Sequence, residues 1–180
     1  MNICKTTLKD LYLIEPNLIT DERGGFMRVF CQREFEKIGI TKNFVQINHS
    51  YNLKKGTFRG LHFQKPPFEE GKLVRCIKGS ICDIVVDLRA ESETFLQHYK
   101  VELSDKNLKM LYVPERMAHG FITLEDNTEV LYHHTEFYEP SANTGISIFS
   151  EILQIELPIP IQIMSEKDKN YPIINQDFRL

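Results

Sequence analysis

The residues of this chain that could do chemistry stand singly inside apolar runs, a placement that suits proton transfer in a shielded cavity. His62 lies in Thr57-Phe58-Arg59-Gly60-Leu61-His62-Phe63-Gln64, Tyr132 in Val130-Leu131-Tyr132-His133-His134-Thr135, and His119 between Ala118 and Gly120. Lys72 opens the run Lys72-Leu73-Val74-Arg75-Cys76-Ile77, and Asp83 interrupts Ser80 to Leu88. Side chains two apart in a strand share a face, so Gly60, His62 and Gln64 should point one way and Arg59, Leu61 and Phe63 the other. An imidazole and an amide among hydrophobic walls make a site for acid–base work. Asp83, polar at a core-like position, must be paired, since an uncompensated buried carboxylate is costly.

The elements that must position these groups read as many short strands. Leu11 to Ile19 is extended, with Pro16 favouring an edge or a break, and Asp21 to Gly25 is a turn before strand-like Phe26 to Phe30. Phe44 to Ser50 alternates in period two, aligning Gln46, Asn48 and Ser50 on one face where their polar groups can read a ligand. Lys65 to Gly71 carries two prolines and a glycine and is a loop at the mouth of whatever His62 faces. Lys78-Gly79 reads as a hairpin turn between the buried runs Lys72 to Ile77 and Ser80 to Leu88. Further strands are expected at Phe95 to Leu103, Met110 to Val113, Ala118 to Leu124 and Glu129 to Thr135, then weaker extended segments from Ile146 to Phe149 and Glu156 to Pro160. A short helix fits Glu34 to Ile38, and Ser165 caps a possible turn over Glu166 to Asp168. Evenly spaced short strands with hardly any helical pattern mean an all-β sandwich or barrel.

Composition narrows the classes. The 180 residues suit one domain. A net charge of -3 with dispersed lysines and arginines argues against nucleic acid or an acidic membrane as partner. Four cysteines without CxxC spacing, and a start without a signal-peptide core, fit a reduced cytoplasmic protein. No apolar run approaches the roughly 20 residues of a spanning helix.

Seven motifs, in order, carry a resemblance. They are DERGGF from Asp21, FVQINHS from Phe44, FRGLHFQ from Phe58, KLVRC from Lys72, DIVVDLR from Asp83, VPERMAHGF from Val113 and SEKD from Ser165. Together they resemble the nucleotide-sugar 3,5-epimerases typified by dTDP-4-dehydrorhamnose 3,5-epimerase, from about Asp21 to about Asp168. The resemblance implies an all-β, cupin-type jelly roll with a few short helices, working as a homodimer in which the N-terminal strand crosses to the partner. It implies a substrate that is a 4-keto-6-deoxyhexose linked to a nucleoside diphosphate, in deoxysugar biosynthesis for surface polysaccharide such as O-antigen. His62 matches the base, Asp168 its carboxylate partner, Tyr132 the acid on the other ring face, and Lys72 the cation near the developing enolate. Arg59 matches a diphosphate contact, His119 a pocket-lining group and Asp83 a support for the site's hydrogen bonds. Arg23, Phe26, Arg28, Gln46, Asn48, Tyr138 and Lys167 fall at positions expected to bind substrate. No cofactor is required. No metal is expected either: metal-binding cupins pair histidines as HxH followed by Glu, and His62 is followed by Phe63-Gln64. His49, His98, His133 and His134 read as structural or surface residues.

Two departures stand out. Arg28 occupies the place where the family has a glutamate facing the thymine base; arginine carries donors only, which would suit cytosine and makes a CDP-linked sugar an expectation beside a dTDP-linked one. The chain also lacks tryptophan, which the family commonly has near Ile148 to Ile152 and before Pro158. Competing readings are a 3,4-ketoisomerase of the same fold, and a non-catalytic nucleotide-sugar-binding cupin. Whether carbon 3 alone or carbons 3 and 5 are inverted is left open by the residues.

Overall fold

The computed structural model describes residues 1–180. Its strands are β1 (Asn2–Lys5), β2 (Tyr12–Glu15), β3 (Ile19–Asp21), β4 (Gly24–Phe26), β5 (Gln46–Asn52), β6 (Thr57–Gln64) and β7 (Lys72–Lys78). They continue as β8 (Ser80–Asp87), β9 (His98–Ser104), β10 (Met110–Val113), β11 (Met117–Thr123), β12 (Thr128–His134), β13 (Asn143–Gly145) and β14 (Ile163–Met164). Helices are limited to α1 (Gln32–Glu36), α2 (Glu166–Lys169) and a 3-10 turn at Glu151–Leu153.

Two sheets make the jelly roll. The first has the order β1-β2-β10-β7-β12-β5, and the second β13-β6-β11-β8-β9 with β14 added in parallel along β6. The expected β7–β8 hairpin does not form. β7 pairs β10 and β12 while β8 pairs β11 and β9, so the turn at Gly79 hands the chain from one sheet to the other. Gly79 has φ +75, and a Cβ there would come within 2.6 Å of Thr128 Oγ1, so only glycine fits this corner. Two flanking runs of buried β-branched residues cannot reveal which partner each strand takes.

Three apolar layers hold the sheets. Between them lies a core that includes Leu11, Val74, Cys76, Val85, Leu111, Phe121 and Val130. The outer face of the second sheet, with Phe58, Leu61, Phe63, Ile84 and Ile122, is covered by the C-terminal segment through Ile148, Leu153 and Ile174. The outer face of the first sheet, with Ile14, Leu73 and Tyr112, is covered by Phe35 of α1 and by Ile40. Each fully buried Leu, Ile or Phe contributes about 1.5–3 kcal/mol, and coverage on both faces explains why every residue of β8 is buried. Ile148 and Leu153 sit in this packing, so the stretch without tryptophan still closes the sheet.

Several boundaries differ from expectation. Strand structure ends at Phe26 rather than continuing to Phe30, and Ile146 to Phe149 passes without regular structure, with β13 preceding it. The helix near residue 34 begins two residues earlier, after an uncapped Cys31. The turn begun by Ser165 forms as expected, with the Ser165 side chain accepting the Asp168 N–H at 3.0 Å. No helix is long and apolar enough to cross a membrane.

Candidate active site

Along β7 and β12 the inward-facing positions change character. Cys76, Val74 and Lys72 follow one another on β7, and Val130, Tyr132 and His134 on β12. Tyr132 lies opposite Val74 and His134 opposite Lys72 in the ladder, so the apolar end of the inter-sheet space opens into a polar pocket at the other. β5 completes that wall with Gln46, Asn48 and Ser50, and β6 and β11 form the facing wall with Arg59, His62 and His119. The cavity between the walls is about 280 Å³.

One geometric detail brings Arg59 and His62 together, contrary to the simple alternation that put them on opposite faces. The β6–β11 register pairs His62 with His119 but Arg59 with Phe121, so Gly60 and Leu61 together face Gly120 in a β-bulge. A bulge shifts the side-chain frame by one residue. Phe58, Leu61 and Phe63 then face the outer core, while Arg59 and His62 line the pocket. Gly60 has φ +143, and a Cβ on it would lie 2.6 Å from the Gly120 Cα; both glycines are required by this approach.

Each pocket histidine is held by one carboxylate. His62 Nε2 is 2.7 Å from Asp168 Oδ1, and Asp168 Oδ2 accepts the Gly60 N–H at 3.4 Å. Asp168 reaches this place because β14 binds alongside Thr57 and Phe58 and α2 follows at once. Burial acts to raise the Asp168 carboxyl, but His62, the Gly60 N–H and Ser165 together hold it below the ordinary carboxylate value. An ionised Asp168 accepts the Nε2–H and leaves Nδ1 of a neutral His62 with the lone pair. The His62 side chain is 35 % exposed against 6 % for Asp168, so the imidazole meets a ligand and the carboxylate does not. The Tyr171 ring packs edge-on to His62 at 5.6 Å between centroids.

His119 repeats the arrangement deeper in, with Nε2 2.7 Å from Asp83 Oδ1 and both residues buried. The expected pairing of Asp83 is thereby met at Oδ1, while Oδ2 has no partner. On the opposite wall Tyr132 Oη lies 3.0 Å from Ser50 Oγ. Burial pushes the Tyr132 phenol above its ordinary value, and the Ser50 bond only partly offsets this, so the phenol keeps its proton at neutral pH. Lys72 Nζ pairs with Glu70 Oε1 at 2.8 Å and has further N–H groups to offer. Arg59 is anchored through Nε to Asn52 Oδ1 at 2.7 Å, which leaves its terminal nitrogens for a ligand.

Of the residues expected to act, His62, Lys72, Tyr132, Arg59, His119, Gln46, Asn48 and Tyr138 line this one pocket, with Asp168 and Asp83 directly behind the histidines. Arg23, Phe26, Arg28 and Lys167 do not line it. Arg23 pairs with Asp21 at the exposed tip of the β3–β4 hairpin, Arg28 pairs with Glu34 at 2.9 Å, and Lys167 stands 6.0 Å from the centre of the Tyr171 ring. Glu70, His134 and Asn143 belong to the lining and were not singled out by sequence. His134 is a correction: read as structural or surface, it is buried in the pocket wall. Its position two after Tyr132 in a strand was the available signal.

Comparison with known proteins agrees with this geometry. The family model described as dTDP-4-dehydrorhamnose 3,5-epimerase matches residues 5–176. The chain is 43% identical over 178 residues to the dTDP-4-dehydrorhamnose 3,5-epimerase of Salmonella typhimurium, covering 98% of this chain and 97% of that one. It superposes with a TM-score of 0.93 and 39% identity on the crystal structure of the Bacillus anthracis enzyme of that name with TDP and PPi bound, covering 96% and 99% of the two chains. A Legionella pneumophila structure of dTDP-6-deoxy-D-glucose-3,5-epimerase in complex with dTDP-4-keto-L-rhamnose gives 0.90 and 37%, covering 96% and 92%. The cupin-type jelly roll, the pocket between its sheets and this similarity over nearly the full length have one reading: the chain belongs to the dTDP-4-dehydrorhamnose 3,5-epimerase family of isomerases.

Proposed function

We propose that this protein inverts carbons 3 and 5 of a dTDP-linked 4-keto-6-deoxyhexose, using His62 as base and Tyr132 as acid, in deoxysugar biosynthesis for surface polysaccharide. The observation that carries this reading is the placement of His62 on β6, backed by Asp168 of α2, and of Tyr132 on β12, on facing walls of one pocket. A sugar ring lying between those walls would present opposite faces to the two groups. Nδ1 of His62 takes the proton from the carbon next to the ketone, leaving an enolate. Lys72 stabilises the oxygen, as preorganised positive charge does for developing anions. The Tyr132 phenol then returns a proton to the carbon from the other side, and the configuration inverts. Solvent restores both groups.

Arg59 binds the diphosphate through its free guanidinium end. The nucleotide in this reading is dTDP, because the named relatives act on or bind thymidine nucleotides and because Arg28, the basis for expecting cytidine, already shares its donors with Glu34. The working unit is an isologous dimer. The β3–β4 hairpin stands clear of both main sheets with Ile19 and Phe26 67 % and 73 % exposed, which suits delivery of Arg23, Phe26 and Arg28 to a partner's pocket.

The test is proton NMR of dTDP-4-keto-6-deoxyglucose with the protein in deuterated water. Deuterium at carbons 3 and 5 with inverted product supports the reading. Exchange at carbon 3 alone restricts it to a 3-epimerase, carbonyl migration indicates the ketoisomerase, and no exchange leaves a binding protein. Calorimetry with dTDP and CDP decides the base: tighter CDP binding would overturn the thymidine assignment.

A further inference from the structure

A chain of hydrogen bonds crosses the pocket wall through residues to which the epimerisation itself gives no part. Its two ends are chemically unambiguous. At one end the backbone N–H of Tyr138, a donor only, points to Gln46 Oε1 at 3.1 Å. That orients the Gln46 amide so that Nε2 donates to Asn48 Oδ1 at 3.2 Å, and it turns Asn48 Nδ2 towards His134 Nε2 at 3.3 Å. Nε2 must therefore be an acceptor. At the other end His134 Nδ1 lies 2.7 Å from Glu70 Oε2, while Glu70 Oε1 holds Lys72. Burial acts to raise the Glu70 carboxyl, yet Lys72 and His134 hold it down at about 2, so it accepts only and Nδ1 must be the donor. Both ends select the same form of His134, the neutral imidazole with its proton on Nδ1.

We propose that Glu70 and His134 are positioning residues of this pocket, with Glu70 holding Lys72 in place and neutral His134 fixing the direction of the Asn48–Gln46 amide chain that faces the ligand. Protonation of His134 would place a donor against the Asn48 NH2. Asn48 would have to turn its oxygen inward, Gln46 would have to follow, and the Gln46 NH2 would then confront the Tyr138 N–H, with no acceptor left for that donor. One proton thus changes the polarity of the wall and disturbs Tyr138, whose hydroxyl also accepts from Asn143. The groups facing His134 are Glu70 and Lys72 from the β7 side, Asn48 from β5, and Tyr132 beside it on β12 with ring centroids 6.2 Å apart. His133, its neighbour in sequence, also carries charge when protonated.

The substrate side of this inference rests on the epimerase reading, so the test has one readout that needs no turnover. Binding of dTDP is measured by calorimetry from about pH 8 down to about pH 5, across the range where histidines titrate, for the wild type, His134→Gln and His134→Asn. Each amide can donate to Glu70 and accept from Asn48 without titrating. The nucleotide's own phosphate ionisation is common to all and cancels in the ratio of dissociation constants. The expected result is a wild-type to variant ratio that climbs towards about tenfold per pH unit on the acid side, matched in the KM for dTDP-4-keto-6-deoxyglucose. Glu70→Gln, which must turn an NH2 to one of its two donors, raises KM at every pH. A ratio constant with pH in both His134 variants overturns the inference. A pH dependence of dTDP binding that the variants flatten, in a protein without turnover, upholds it and overturns the epimerase reading instead.

Discussion

Replacing Asp168 by asparagine changes one atom in a buried residue and should disable the reaction by a route the structure makes explicit. Asp168 Oδ2 accepts the Gly60 N–H and Oδ1 faces His62 Nε2. The Gly60 amide can only donate, so the asparagine of the Asp168→Asn variant must keep its oxygen on that side and turn its NH2 towards His62. Nε2 then becomes an acceptor, and the proton of a neutral imidazole moves to Nδ1, the atom from which the lone pair should take the substrate proton. Loss of a positioned general base costs about 10²–10⁴ in rate, or about 3–5 kcal/mol of barrier. The effect belongs in kcat, with KM nearly unchanged, because the carboxylate is covered by His62 and does not meet a ligand. Deuterium incorporation at carbons 3 and 5, followed by proton NMR, measures it directly. A variant that keeps its thermal transition and retains kcat within about threefold of wild type would refute the tautomer argument.

Tyr132→Phe removes the phenolic proton and leaves a half-buried ring of the same shape, so inverted product should fall by about 10²–10³ while proton removal by His62 continues; loss of deuterium exchange in equal measure would show that Tyr132 does not act as the acid. Gly60→Ala places a Cβ 2.6 Å from the Gly120 Cα at φ +143, and should lower stability by about 2–4 kcal/mol in urea unfolding; a near-wild-type midpoint would mean that the bulge relaxes easily. Glu70, held at about 2 from an ordinary 4.5, has a depressed folded-state value. Its contribution is therefore complete above 4.5 and lost as pH falls towards 2, on the order of 3 kcal/mol in total. Urea unfolding should show this acid loss in the wild type and less of it in Glu70→Gln; identical profiles would contradict the buried ion pair.

Part of the site was legible from residue types. An imidazole inside an apolar strand pointed to a shielded pocket, because burying such a group is costly unless it is paired or used. Tyr132 and Lys72, which pattern alone reads as a strand aromatic and a solvated edge residue, were singled out through the resemblance. Period-two alternation brought Gln46, Asn48 and Ser50 to one wall, as it does in the structure. The same rule failed at Arg59, because a bulge is a property of two strands in register and leaves only two glycines, far apart in sequence, as its trace. The same alternation gives His134 a shared face with Tyr132.

The sequence by itself determined the all-β class and the cap that starts the helix carrying Asp168, since these depend on local periodicity and hydrogen bonds a few residues long, while the residues expected to act came from the resemblance. Tertiary structure decided the rest. It chose different sheets for β7 and β8 where a hairpin was equally compatible with the pattern. It brought Asp168 across 106 positions to His62 through the pairing of β14 with β6. It also joined Glu70 to His134 across a separation of 64. Strand pairing is a choice among long-range partners of similar local appeal, and only the simultaneous burial of both faces of each sheet, with its backbone groups paired in the ladders, discriminates between them.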